Sequence, residues 1–273
     1  MKKTTWLTLA MFAVSPIIVI ALSQVRTKTE GNAVNLTQSK LQRLQPVETV
    51  IFNGDSTLLD SAGIVLQLTI TTRDTVGGNC VSYSPEMFQA TQKGGVLTIG
   101  LSPDGRRLVK EGHLFLEKAD LSRVNPDTIY ANDTLNIHLH AGPALTQVVA
   151  GANQTLVFDE ARLPLLRLKA MQEVIITNRS HIGHLQMNGG TSVWVIKSEI
   201  DRFDLHLINP EVYSMTNSFG EDSRIGMLRV TGEGSIDIHN GDDIDQILLE
   251  PTPKSEDGIT ITGYSFKKRR QLK

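Results

Sequence analysis

The sequence predicts an all-β protein built as a single-stranded parallel β-solenoid, a right-handed β-helix with about six regular coils of 18–19 residues plus irregular N-terminal coils. Three observations predict it. An apolar triplet at positions i, i+3 and i+5 recurs six times in the second half of the chain. A second apolar pair, its members two residues apart, follows four of those triplets at a constant distance. Asparagine, which tolerates left-handed backbone, closes the second strand of three coils.

The triplets begin with Leu145, Val148 and Ala150, then Leu163, Leu166 and Leu168, then Ile182, Leu185 and Met187. They continue with Ile200, Phe203 and Leu205, with Ile225, Leu228 and Val230, and with Ile244, Ile247 and Leu249, at steps of 18, 19, 18, 25 and 19 residues. The pairs are Leu156 and Phe158, Val174 and Ile176, Val193 and Val195, and Ile236 and Ile238, each lying 11 and 13 residues after its triplet's first member. A spacing of two puts both side chains on one face of an extended strand, so each coil reads as two short strands with one inward face apiece. The fourth coil fits with two residues inserted before Tyr213 and Met215 and four more after Asn217, which places an extra loop at 218–224. Asn178, Asn217 and Asn240 are the closing turn residues.

One coil cannot bury its own apolar strands. Stacked about 4.8 Å above, the next coil pairs with both through backbone hydrogen bonds and continues the core. Leucine-rich horseshoes share the opening pattern but need an Asn in the first strand region. Gly151, Lys169, Asn188, His206 and Thr231 occupy that position here, with one Asn among them, so the solenoid reading wins.

Around the regular array the chain divides by composition. Residues 1–23 read as a signal peptide or an N-terminal membrane anchor: Lys2 and Lys3 precede an uncharged apolar run at 6–22, and Arg26 and Lys28 follow it. Ala21 and Ser23 offer a small-x-small cleavage site, whereas the length of the run, interrupted by Pro16, favours retention as an anchor in the inner membrane. In both cases the body of the protein is expected outside the cytoplasm, in the periplasm or cell envelope. Residues 24–45 form a polar tether, 46–143 an irregular N-terminal part of the solenoid, 144–250 the regular solenoid, and 251–273 a C-terminal cap with a basic tail. In the irregular part, Val47, Val50 and Phe52 repeat the triplet spacing. Leu66, Leu68 and Ile70, then Leu97 and Ile99, then Leu135, Ile137 and Leu139 alternate as strands. An inserted loop near 102–133, holding Gly105, Gly112 and Pro126, protrudes from the stack.

These strands carry a resemblance. Val47, Val50 and Phe52, the run Gly94, Gly95, Val96, Leu97, Thr98 and Ile99, the strand at 135–139, and Pro143, Leu145 and Val148 opening the repeats together resemble the GIN-domain family, also called the autotransporter adhesin head domain family. The resemblance covers about residues 47–250. It implies an exported bacterial protein with a right-handed parallel β-solenoid, and it carries over no catalytic or binding residue. The Gly-Ser-Gly turns of the family are replaced here by Ala150-Gly151-Ala152, Ala170-Met171 and Thr231-Gly232-Glu233-Gly234.

A formal net charge of −2 gives no general pull toward nucleic acid, and membrane contact is expected only through the N-terminal segment. Cys80 is the only cysteine, which excludes an intrachain disulfide, and no local signature marks it as a nucleophile. Chemistry must therefore sit on the outward columns. Four residues after each triplet start stand Val149, Arg167, Gln186, Asp204, Arg229 and Leu248, a partly paired ladder in which Arg167 and Arg229 flank the single carboxylate of Asp204. A glycosidase needs two carboxyl groups about 5 to 10 Å apart. No outward column supplies carboxylates on two successive coils.

On the second strand the outward column is Val157, Ile175, Trp194, Ser214 and Asp237. Its apolar members form either a strip covered by another part of the chain or a docking strip, with Trp194 as a stacking platform and Phe219 as a second contact. His138 and His140, two apart on a strand, have metal-capable geometry without a third ligand, so neither a metal nor another cofactor is expected. The candidate binding residues are Trp194, Ile175, Val157, Phe219, Arg167 and Asp204. The function that follows is a non-catalytic bacterial cell-envelope β-solenoid presenting a surface for binding or adhesion to a protein or glycan. Self-association through the solenoid ends is a further expectation. A carbohydrate-active β-helix enzyme of the polysaccharide lyase or hydrolase type is the alternative.

Overall fold

The computed structural model describes residues 39–62, 64–72, 78–110, 136–170, 173–188, 192–207, 212–217, 222–239, 243–251 and 259–262. The expected signal peptide or anchor at 1–23, most of the expected tether, residues 111–133 of the expected inserted loop, Leu135, Asn240 and the basic run at the C-terminus lie outside the described residues.

Alternating burial makes strands of almost every apolar segment, and the strands form two sheets facing one core. In space, the nine-stranded sheet runs β18 (Ile244–Pro251), β16 (Arg224–Gly232), β14 (Glu199–Leu207), β12 (His181–Asn188), β10 (Arg162–Lys169), β8 (Gln147–Ala150), β2 (Thr49–Asn53), β6 (Val96–Leu101), β5 (Phe88–Lys93). The ten-stranded sheet runs β19 (Ile259–Thr262), β17 (Gly234–His239), β15 (Val212–Asn217), β13 (Ser192–Val195), β11 (Glu173–Thr177), β9 (Gln154–Asp159), β3 (Leu66–Thr71), β7 (Asn136–His140), β4 (Cys80–Tyr83), β1 (Lys40–Arg43). Two short helices, α1 (Ser56–Ala62) and α2 (Pro103–Lys110), complete the described elements, and α2 takes up the start of the expected inserted loop.

The all-β prediction holds, but the sheets are mixed, so one uniform parallel stack is not what the chain forms. From β8 onward successive strands alternate between the sheets and pair in parallel. At the other end β5 pairs β6, β4 pairs β7 and β1 pairs β4 in antiparallel fashion. For β5 and β6 the reason is local: Gly94 and Gly95 make a two-residue turn between them, with Gly94 at φ 55°, and a hairpin can only be antiparallel. Stacking also departs from chain order, because β2 lies between β6 and β8, and β3 between β7 and β9. The last residues of the expected tether form β1, with Lys40 opposite Tyr83.

The regular coils keep the predicted columns. Leu166, Leu185, Phe203 and Leu228 stand in adjacent parallel register and are fully buried. The step from i to i+3 has a physical basis: the pairing ladder skips one residue in every strand, at Pro164, Gly183, Asp201 and Gly226. Backbones crowd there, and a Cβ at Gly226 would lie 2.6 Å from the Asp201 carbonyl oxygen. One extra unpaired residue per strand brings both i and i+3 inward.

Two registers differ from the sequence reading. Val148 pairs with Leu168 rather than Leu166, because β2 fixes the other side of β8 through Val50 opposite Val148 and Phe52 opposite Ala150. In the fourth coil Val193 pairs with Met215, so Trp194 stands opposite Thr216, while Ser214 and Asp237 stand in the Ser192 column. Both slips are by two residues, which keeps the same face inward. Asn217 ends β15 opposite Val195 instead of closing a turn.

The corner after each second strand uses left-handed backbone at Glu160, Asn178 and Lys197, with φ of 48°, 53° and 48°. Behind it runs a column of small buried residues, Ala161, Ser180, Ser198 and Ser223. Ser180 Oγ accepts from the Ala161 N–H at 2.9 Å and donates to the Thr177 carbonyl at 2.6 Å, so at this corner the polar groups are satisfied inside the core, whereas the buried Ser223 hydroxyl has no partner among the described residues. At the far end of the stack Leu249 is 40% exposed, whereas Val230 beneath it is fully buried.

Candidate functional site

The outer face of the nine-stranded sheet carries a groove of about 310 Å³. Its walls are two outward columns. One is Gln147, Arg167, Gln186, Asp204 and Arg229; the other includes Lys169, Asn188, His206 and Thr231. Its floor is formed at Leu168 and Leu205, whose own side chains point into the core. The columns exist because residues two apart on a strand share a face, and parallel register repeats them coil after coil. The groove spans five strands, from β8 to β16, or about 19 Å at the usual strand spacing. Arg167 and Asp204 are therefore brought into one site. The first member of their column is Gln147, not Val149, through the two-residue slip in β8.

Asp204 does not pair with Arg167 or with Arg229. Its Oδ1 accepts from Arg202 Nε at 3.0 Å and its Oδ2 lies 2.8 Å from His184 Nε2. Burial pushes this carboxyl up, but the hydrogen bonds from Arg202 and His184, with their charges, outweigh burial and hold it below the ordinary carboxylate range. Arg229 is paired with Glu250 of β18. Arg167 Nε donates to Gln186 Oε1 at 3.2 Å, and His206 Nδ1 lies 2.9 Å from Thr231 Oγ1. Arg167 and Lys169 have no carboxylate partner among the described residues. One end of the groove thus carries two adjacent open cations and the other carries neutralised pairs.

The remaining predicted residues lie elsewhere. Val157 and Ile175 are outward on the ten-stranded sheet in register with Trp194, yet each is only 4% exposed. Trp194 is half-buried. Beside it, burial pushes the Glu173 carboxyl up, against hydrogen bonds from Trp194 and Thr155 that pull it down. Phe219 lies outside the described residues. His138 and His140 share the outward side of β7, opposite Ser82 and Cys80 of β4. No group of three His, Cys, Asp or Glu able to hold a metal occurs among the described residues.

A second depression of about 180 Å³ is lined by Glu199, Ile200, Asp201, Arg224 and Gly226. Asp201 lies 3.1 Å from His181 and is 63% exposed, and Arg224 is bonded to Asp245. Sequence reasoning named Lys169, Asn188, His206 and Thr231 only as test positions for a horseshoe. The i+2 spacing from Arg167 and its column mates was the signal that they share the face.

No family model matches the chain, and no curated protein matches it. Among solved structures it is similar to candidate adhesins. One from Parabacteroides merdae ATCC 43184 is 8% identical, covers 82% of this chain and 95% of its own, and has a TM-score of 0.32. One from Bacteroides fragilis NCTC 9343 is 11% identical with coverage of 82% and 95% and a TM-score of 0.31. A third, from Parabacteroides distasonis ATCC 8503, is 11% identical with coverage of 82% and 96% and a TM-score of 0.29. Among the described residues no helix is long and apolar enough to cross a membrane.

Proposed function

We propose that this chain is a non-catalytic module of the bacterial cell envelope, exported by its N-terminal segment, whose coils act as a short right-handed β-solenoid that presents a binding surface. The observation that carries this reading is the groove. It offers amides, hydroxyls, an imidazole, a carboxylate, an ammonium and guanidinium groups along five strands, all able to hydrogen-bond a polar ligand. The resemblance of the strands at 47–52, 94–99 and 135–139 to the GIN-domain family supports the same reading.

A polysaccharide hydrolase of the two-carboxyl type needs a carboxyl kept protonated beside a second one. Asp204 is held ionised, and Asp201 in the second depression is well exposed. Both observations favour binding over turnover. The test uses the full chain on immobilised glycans and on envelope fractions, beside the variant Asn188→Trp, which fills the groove from an exposed position. Binding by the wild type that the variant loses is the expected result. Binding unchanged in the variant moves the surface elsewhere, and release of reducing ends or unsaturated uronates from any polysaccharide overturns the non-catalytic reading.

A further inference from the structure

The charge of the groove is graded along its length, and that grading selects among ligands. At β10, Arg167 and Lys169 are exposed, stand two residues apart on one face, and have no carboxylate partner among the described residues. One coil further, Gln186 and Asn188 offer amides; Asp204 and His206 follow, then Arg229 and Thr231. Asp204 is ionised and already engaged by Arg202 and His184, so it offers a second anion no attraction, while Arg229 is bound to Glu250. The site therefore has one anionic position at one end and uncharged hydrogen-bonding positions beyond it.

We propose that the groove binds an acidic saccharide, with the carboxylate of one sugar held by Arg167 and Lys169 and uncharged, hydroxyl-rich sugars following it over Gln186, Asn188 and on to Thr231. This deepens the reading of the groove as a binding surface and rests on it. Arg167 supplies its free guanidinium nitrogens to a carboxylate as a fork, and Lys169 adds a point charge. The coil spacing of about 4.8 Å is close to the length of a sugar ring, so successive coils meet successive parts of the ligand. At one sugar per coil the unit over Asp204 lies two beyond the uronate at Arg167, so the groove disfavours a polymer charged on every unit or on every second unit and favours one in which a uronate is followed by several uncharged sugars.

The experiment measures binding of the full chain to gellan, which carries one uronate followed by three neutral sugars, beside hyaluronan, polygalacturonate, dextran sulfate, dextran and polyglutamate. The expected result is tightest binding to gellan, weakened by salt, and at least a tenfold loss in the double variant Arg167→Gln, Lys169→Gln with an unchanged thermal transition. Asp204→Asn is expected to narrow the preference for gellan over hyaluronan and polygalacturonate. Equal binding of polyglutamate shows charge attraction alone and overturns the proposal, as does stronger binding of dextran sulfate that survives the double variant. Dextran binding that Asn188→Trp abolishes and the double variant spares also overturns it, while leaving the groove as the binding surface. Failure of every polymer overturns the saccharide inference, and the envelope-fraction arm then decides separately whether the groove binds anything.

Discussion

The two outer faces of this molecule are built by the same repeat and treated in opposite ways. On the nine-stranded sheet the outward columns are polar and open, and they wall a groove. On the ten-stranded sheet the corresponding column holds Val157 and Ile175 at 4% exposure, and a tryptophan packed beside a carboxyl whose pKa burial raises. Outwardness on a strand is thus a statement about the sheet alone. Whether an outward residue meets solvent depends on what else lies over that sheet.

Substitutions separate core, closed face and open face by the size of their effect. Phe203→Ala removes the largest member of the stacked inward column and is expected to cost about 3–5 kcal/mol in denaturant unfolding. A variant as stable as wild type would mean that the coils do not share a packed core. Trp194→Glu on the closed face puts a carboxylate beside Glu173 and is expected to cost about 2 kcal/mol, which a lowered melting temperature reports. If stability is unchanged, the closed face is solvated like the open one and the contrast disappears. Ser180→Ala strands the Ala161 N–H in the corner and is expected to cost about 1–3 kcal/mol.

A smaller effect carries a pH signature. The Glu173 carboxyl titrates higher in the folded state than its ordinary value of 4.5, so folding favours the protonated form. Stability from this group is full below that ordinary value and is lost as pH rises through the raised folded value. Glu173→Gln should therefore raise the melting temperature at pH 7, with the difference closing at pH 4. Asp204 has the opposite sign: its folded value is lowered, so its contribution is present above 3.8 and is lost as pH falls through the folded value. The smallest stability change belongs to Arg167→Gln, expected within about 0.5 kcal/mol of wild type because the residue is exposed and donates only to Gln186.

The inward columns were readable because burial repeats the same demand in every coil, and Leu166, Leu185, Phe203 and Leu228 answer it with like residues. The register slips at Val148 and Trp194 were not readable, since a shift of two residues keeps every side chain on its face and leaves the hydrophobic pattern unchanged. Nor was the spatial order of β2, β6 and β8, whose short apolar alternations are interchangeable as sequence. At the groove, Arg167 and Asp204 stood out through their column, but the partners of Asp204 sit at diagonal positions, Arg202 and His184, that column counting does not visit. The burial of Val157 and Ile175 on the outward side of their strands has no local sequence mark.

The position of β2 sets a sequence of events. Its partner Val148 stands almost a hundred residues away from Val50, whereas neighbouring strands in the later coils are one coil apart. Closing the longer loop costs more entropy before any contact rewards it, so the later coils have the kinetic advantage. The N-terminal layers then dock onto a template that β8 and β9 already present. A chain interrupted before β8 would leave β2 and β3 with one side each unpaired, a sticky intermediate of the kind that chaperones bind.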